Sequence, residues 1–197
     1  MLAGLTSLAG LALLLQAAQA APQPVPLESG VISILEDIHV HAPIIWHEVV
    51  NPDGSKSNFT DVDNALWDDA VARLGPDPTA VVKRQERACF GAGSWAKQVV
   101  LHDGVFSACL TLSSTPRGQT RVFLRDGFNS AGDPMTVHYT KQRNSNVEDG
   151  SGLECQDALH WLINNCRGGN ADSRGGRVNW RTGDQYIVDR QTHNCNC

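Results

Sequence analysis

Ser151-Gly152-Leu153-Glu154-Cys155-Gln156-Asp157-Ala158-Leu159-His160-Trp161-Leu162-Ile163-Asn164-Asn165-Cys166-Arg167-Gly168-Gly169 is the stretch from which the fold is read. Cys155, Ala158, Leu159, Leu162, Ile163 and Cys166 recur at steps of three and four, which is one face of a helix over residues 152–167. Ser151 and Glu154 have capping-box spacing. Arg167 suits the negative end of the helix, and Gly168-Gly169 stops it. The two cysteines stand eleven residues apart on this helix, roughly 16 Å at the usual rise. Bonded cysteines need Cα atoms within about 7 Å, so each must reach a different element.

Outward from this helix the pattern is mixed. A second helix runs from about Ser94 to Cys109, with Trp95, Val99, Phe106 and Cys109 on one side. Gly104 costs it about 1 kcal/mol, and its β-branched run leaves a strand reading open. Strands are expected at Arg121–Arg125, Met135–Lys141, Arg177–Trp180 and Gln185–Arg190, with a short one at Ala88–Phe90. Arg181-Thr182-Gly183-Asp184 joins the last two as a tight hairpin. The order β-α-β-β-α-β-β fits an α+β fold: a small disulfide-stapled α/β sandwich in split β-α-β form, its antiparallel sheet carrying two helices on one face. Helices so placed run antiparallel, which brings Cys109 to Cys155. Cys89, Cys166, Cys195 and Cys197 remain for two further bridges, with their partners left open.

Every cysteine lies after the dibasic pair Lys83-Arg84. Val81-Val82-Lys83-Arg84 has the form that a kexin-type processing protease cuts, just after the arginine. Upstream, Leu11–Leu15 is a short apolar core and Ala18-Gln19-Ala20 a small-x-small cleavage site, so residues 1–20 read as a signal peptide, although no Lys or Arg precedes the core. That core is too short to span a bilayer, and no later stretch is long and apolar enough to be transmembrane. Three parts follow: a leader (1–20), an acidic cysteine-free pro-segment (21–84) and a mature six-cysteine domain (85–197). An even cysteine count in a short exported domain reads as a disulfide framework, so the product is expected to be secreted and extracellular. Net charge is −6 over residues 21–84 and +1 over residues 85–197. Neither part is basic enough to argue for nucleic acid. The acidic charge suggests electrostatic help in folding or masking, or an acidic soluble linker.

The pro-segment is more patterned than a spacer. After a Pro-rich lead-in, Val31–Leu35 reads as a strand or helix start and Ile44–Val50 as a strand. Asn51-Pro52-Asp53-Gly54 is a turn, and Asn58-Phe59-Thr60 is a glycosylation sequon. Asp61–Leu74 resembles a helix, stopped by Gly75-Pro76-Asp77-Pro78.

No strong catalytic constellation is present. A secreted ribonuclease would need an acid and a base flanking phosphate. His138, Glu148 or Glu154, and Arg121 or Arg177 have suitable types, but their spacing forms no signature. Of the other histidines after the dibasic pair, His102, His160 and His193 carry no motif. No G-x-S-x-G occurs, since Gly93-Ser94-Trp95 lacks the second glycine. His39, His41 and His47 could crowd one strand face, and Cys195-Asn196-Cys197 could hold a soft metal, but structural disulfides account better for the latter. No catalytic residue, cofactor or metal is therefore assigned. The Gly-rich run from Arg167 to Arg177 is a candidate target-binding loop: Arg167, Arg174 and Arg177 suit an anionic glycan, lipid headgroup or phosphate. Its plain reading is an exposed helix-to-strand connection.

Cys89-Phe90-Gly91, Leu153-Glu154-Cys155-Gln156-Asp157-Ala158-Leu159, the Cys166-x-Gly-Gly helix end and Tyr186-Ile187-Val188-Asp189 form a further pattern. Over most of residues 85–197 the chain resembles killer-toxin-like and necrosis-inducing secreted effectors of filamentous fungi. The resemblance implies an α/β sandwich, secretion, and non-enzymatic action on the surface of a host plant or competing microbe, as a toxin or virulence effector. It supplies no catalytic residues. The alternatives are a small secreted hydrolase, ribonuclease or glycan-cleaving, and a cell-wall or matrix protein. Because no cysteine ties down the pro-segment, a cut after Arg84 either frees it or leaves it held without a covalent bond.

Overall fold

The computed structural model describes residues 28–35, 38–72, 87–90, 95–147, 152–168 and 172–192. In chain order these form β1 (Glu28–Leu35), β2 (Ile38–Ile44), β3 (His47–Val50), β4 (Lys56–Asp63) and α1 (Asn64–Ala72). Next come β5 (Arg87–Cys89), β6 (Ala96–Lys97), α2 (Gln98–Leu112), β7 (Gln119–Phe128), β8 (Pro134–Gln142) and α3 (Leu153–Asn165). β9 (Asp172–Ser173), β10 (Gly176–Asn179) and β11 (Gln185–Thr192) complete the order.

The main sheet has seven strands in the order β3-β4-β7-β8-β11-β10-β5, all neighbours antiparallel. The chain is thus α+β, with α2 and α3 packed on one face of an antiparallel sheet. β5–α2–β7 and β8–α3–β10 both cross to strands that are not neighbours, which is the split arrangement. The core under the helices joins Leu101, Val105, Ala108 and Leu112 of α2 to Leu159, Leu162 and Ile163 of α3. Phe123, Val137, Tyr139, Tyr186 and Val188 meet them from the sheet.

α3 buries the residues its periodicity selects: Cys155, Ala158, Leu159, Leu162 and Ile163. Its start differs from the capping-box expectation. Gly152 is the N-cap, at φ 69°, and Ser151 lies outside the described residues. Glu154 instead accepts a hydrogen bond from the Thr182 hydroxyl and ties the helix to the β10–β11 hairpin. Two disulfides join the layers. Cys109 at the end of α2 is bonded to Cys155 at the start of α3, with Cα atoms 5.6 Å apart, the pair that antiparallel helices bring together. Cys89 is bonded to Cys166, tying β5 to the far end of α3. Cys195 and Cys197 lie outside the described residues.

Gly104 has a packing reason. The Tyr139 hydroxyl donates to the Leu101 carbonyl at 2.6 Å, and a Cβ on Gly104 would stand 2.2 Å from the hydroxyl oxygen of Tyr139. We expect Gly104→Ala to destabilise the fold by about 1–3 kcal/mol despite its better helix propensity. Urea unfolding checks this; a gain in stability would show that the phenol does not need the glycine.

The N-terminal segment holds the largest departure from expectation. β4 was not foreseen: Lys56-Ser57-Asn58-Phe59-Thr60-Asp61-Val62-Asp63 has too few apolar residues to alternate visibly. It nevertheless pairs Asn58 to Asp63 with Leu124 to Gln119 of β7. Because Asp61–Asp63 continue the strand, the helix begins at Asn64, three residues later than expected. The Asp63 carboxylate accepts the Ala65 N–H at 2.8 Å there. The strand expected over residues 44–50 is divided at Ile45–Trp46, with β2 and β3 in different sheets. On the sheet face away from α2 and α3, Val40, Ile44, Val62, Trp67 and Ala70 form a second core with Val122 and Ile187. The sandwich therefore has a third layer, built from the acidic segment.

Candidate functional site

α2 is apolar on both sides. Leu101, Val105, Ala108, Cys109 and Leu112 are buried. Val99, Phe106 and Leu110 are 59%, 52% and 50% exposed, at positions i, i+7 and i+11 of one stripe. Leu153, at the start of α3, is 62% exposed. The expected grouping of Val99 and Phe106 with Cys109 is thus corrected: Cys109 turns inward to its disulfide while the other two face outward. A helix apolar all round normally has partners all round; among the described residues α2 has them on one side.

His102 lies three residues after Val99 and four before Phe106, so it borders this stripe. Its Nδ1 faces Nδ1 of His160 on α3 at 2.6 Å, with ring centroids 4.8 Å apart. His102 Nε2 is 3.2 Å from Asn164 Oδ1. Because the amide oxygen only accepts, Nε2 carries the proton of neutral His102, and its Nδ1 accepts from His160 Nδ1–H. Burial first, then the neighbouring His102, hold His160 below its ordinary value of 6.5, while Asp157 pulls the other way. A histidine favoured neutral in the folded state contributes stability that is full above the unfolded value and lost as pH falls through the folded one. We therefore expect thermal stability to begin falling below about pH 6.5, and less so in His102→Asn. Equal pH profiles for the two proteins would remove the pair as the cause.

The structure does not gather the three loop arginines. Arg167 is exposed after α3, and its backbone bridges Ser173. The Arg174 guanidinium stacks over Trp95, 4.3 Å from the ring centroid. Arg177 pairs in register with Ile187, so it points to the face away from the helices. The base of the loop is fixed: Ser173 Oγ–H donates to the Cys166 carbonyl at 3.0 Å, and Arg174 N–H donates to the same oxygen at 3.3 Å.

Of the ribonuclease candidates, Arg177 shares a sheet face with His138, two strands away, while Arg121 and Glu154 lie elsewhere. His138 is buried on β8, its neighbours in register Leu124 and Asp189, on the side of the second core. Arg121 points to the opposite face, where its Nε and Nη2 donate to the two Asp61 carboxylate oxygens, both at 2.7 Å. Glu154 holds Thr182, and Glu148 lies outside the described residues. Among the described residues no three His, Cys, Asp or Glu side chains gather as a metal site. His47 stacks on Phe59 at 5.0 Å, and the side chains of His39 and His41 lie outside the described residues. Asn58 of the sequon is exposed on β4, so a glycan there does not conflict with the sheet. Ala20, Lys83 and Arg84 lie outside the described residues, as does His193.

No family model matches this chain, and neither the curated proteins nor the solved structures yield a match. The candidate site is therefore argued from geometry alone: the outward α2 stripe, Val99, Phe106 and Leu110, with the His102–His160 pair beside it. The histidine pair was missed because the two residues are 58 positions apart. The signal was present, however. In antiparallel helices locked at Cys109–Cys155, His102 and His160 lie seven and five residues from the lock, in the same direction.

Proposed function

We propose that this protein is a secreted, kexin-processed, disulfide-stapled toxin or effector that acts without enzymatic chemistry, by binding a surface of a host or a competing microbe. The observation that carries the reading is the exposed apolar stripe of α2 on a helical layer cross-linked by Cys109–Cys155. A rigid apolar face bordered by polar side chains is how a small domain docks on a partner. The disulfides support an oxidising destination. No helix among the described residues is long and apolar enough to cross a membrane. The leader at residues 1–20 and the Lys83-Arg84 pair supply export and processing in this reading.

The test is a surface variant. Phe106→Glu with Leu110→Glu alters exposed positions and should leave the Tm within a few degrees. It should also reduce leaf necrosis or growth inhibition of a competing microbe at least tenfold in dose. Full activity in the folded double variant would move the binding surface elsewhere; no response to the unaltered protein would defeat the toxin reading itself.

A further inference from the structure

We infer that a cut after Arg84 does not discard the N-terminal segment: it stays docked as a second, non-covalently held chain that completes the sheet. The inference rests on the processing reading above, and it identifies both partners of the contact. One is the long edge of β7 with the sheet face behind it; the other is β4 and α1 of the same gene product.

The contact has the make-up of a subunit interface. Six consecutive residues of β4, Asn58 to Asp63, lie in register with β7. Across that ladder Asp61 takes a bidentate grip from Arg121, a fork geometry that fixes register as well as position. Arg121 is itself held by the Thr111 carbonyl and the Ser114 hydroxyl, so it is preset to receive the carboxylate. Further along β7, Arg125 Nη2 donates to Asp53 Oδ2 at 2.9 Å. At the other end, Asn64 accepts from Thr120 at 2.8 Å, and Asp68 accepts from Gln142 at 2.6 Å. Behind the ladder Trp67 is 1% exposed, packed with Val62 and Ala70 on Val122 and Ile187. Three carboxylates of the segment, Asp53, Asp61 and Asp68, are thus engaged by Arg125, Arg121 and Gln142 of β7 and β8.

Sheet edges give a second, independent reason. With the segment in place, the terminal strands are β3, of four residues, and β5, of three. β3 also carries the exposed Glu48–Lys56 ion pair with β4. Short, charged edges resist pairing with other chains. Without the segment the edge would be β7, ten residues long with Val122 and Phe123 at its centre. A long edge of that kind is open to strand addition. The fold as built keeps β7 interior.

The experiment starts from uncut protein made in a secretory host that lacks the processing protease. Purified kexin-type protease is added, and the digest is run by size exclusion under native conditions. The two fragments should co-elute at the volume of the uncut protein and separate only in denaturant. An N-terminal fragment eluting apart from residues 85–197 overturns the inference. Failure to cut would count against the processing reading alone. The docking would then be tested on a variant with residues 81–84 replaced by the site of an unrelated protease, with the same two outcomes. Asp61→Lys should weaken retention at least tenfold, and adding Arg121→Glu should restore part of it. Retention unchanged in Asp61→Lys would place the contact away from the β4–β7 ladder and also overturn the inference.

Discussion

Gly175→Ala should destabilise the folded protein more than either Gly104→Ala or Gly183→Ala. Gly175 stands at the entrance to β10, at φ +74°, where an L side chain is strained by roughly 1–2 kcal/mol. The greater problem is space. A Cβ there would lie 2.1 Å from the Val188 carbonyl oxygen and 3.0 Å from its carbon. Both are backbone atoms of the neighbouring central strand, so no flexible side chain can yield. Gly175 also accepts the Phe90 N–H at 3.2 Å and donates to Ser173 Oγ at 3.1 Å, so displacing it disturbs β5 and the loop base together. We expect a loss of about 4 kcal/mol or more, and a Tm fall of about 10 °C or more for a chain of this size. Gly183→Ala is the control: its φ is +93°, yet nothing lies within 4 Å of its would-be Cβ. It should lose only the conformational part, about 1 kcal/mol. Equal Tm values for the two variants would show that crowding against Val188 does not operate.

The joint substitution Cys109→Ala with Cys155→Ala should have the next largest effect. The bridge spans a sequence separation of 46. On the chain-entropy view, releasing such a loop in the unfolded state costs about 4 kcal/mol of stability, and native bridges in small exported domains cost 2–5. Both sulfurs are buried where α2 ends and α3 begins, so the double alanine also leaves a gap between the helices. Denaturant unfolding should show a lowered midpoint of that order. The His102–His160 contact, two turns or less from the bridge, should loosen as well, and the acid sensitivity assigned to it should diminish. A midpoint unchanged within about 1 kcal/mol would mean that helix packing alone holds the layer.

What was legible in the sequence follows from how apolar each element is. α3 is buried on one face by strongly apolar residues, and β7, β8 and β11 carry enough apolar residues, among them Val122, Phe123, Val137, Tyr139, Ile187 and Val188, for their patterning to reveal them. The antiparallel placement of α2 and α3 then brings Cys109 to Cys155. β4 was hidden because its covered positions are polar: Ser57 accepts from Asn51, Thr60 is buried on the side of the second core, and Asp61 is gripped by the distant Arg121. The helix start at Asp61 was misplaced for the same reason: a strand with a distant partner overrode local propensity. The arginine loop looked like one recognition patch because its three cations are close in sequence. In space, β-strand alternation and the Trp95 stack send them apart. Val99 and Phe106 were grouped with Cys109 because an apolar helix does not declare which of its sides is covered.

The most direct test of the central claim is native mass spectrometry of the protein collected from the medium of cells that make it. We predict one assembly whose mass equals the N-terminal fragment plus residues 85–197, falling into those two chains on denaturation without reductant. A native mass equal to residues 85–197 alone, or a single uncut chain, would contradict the account.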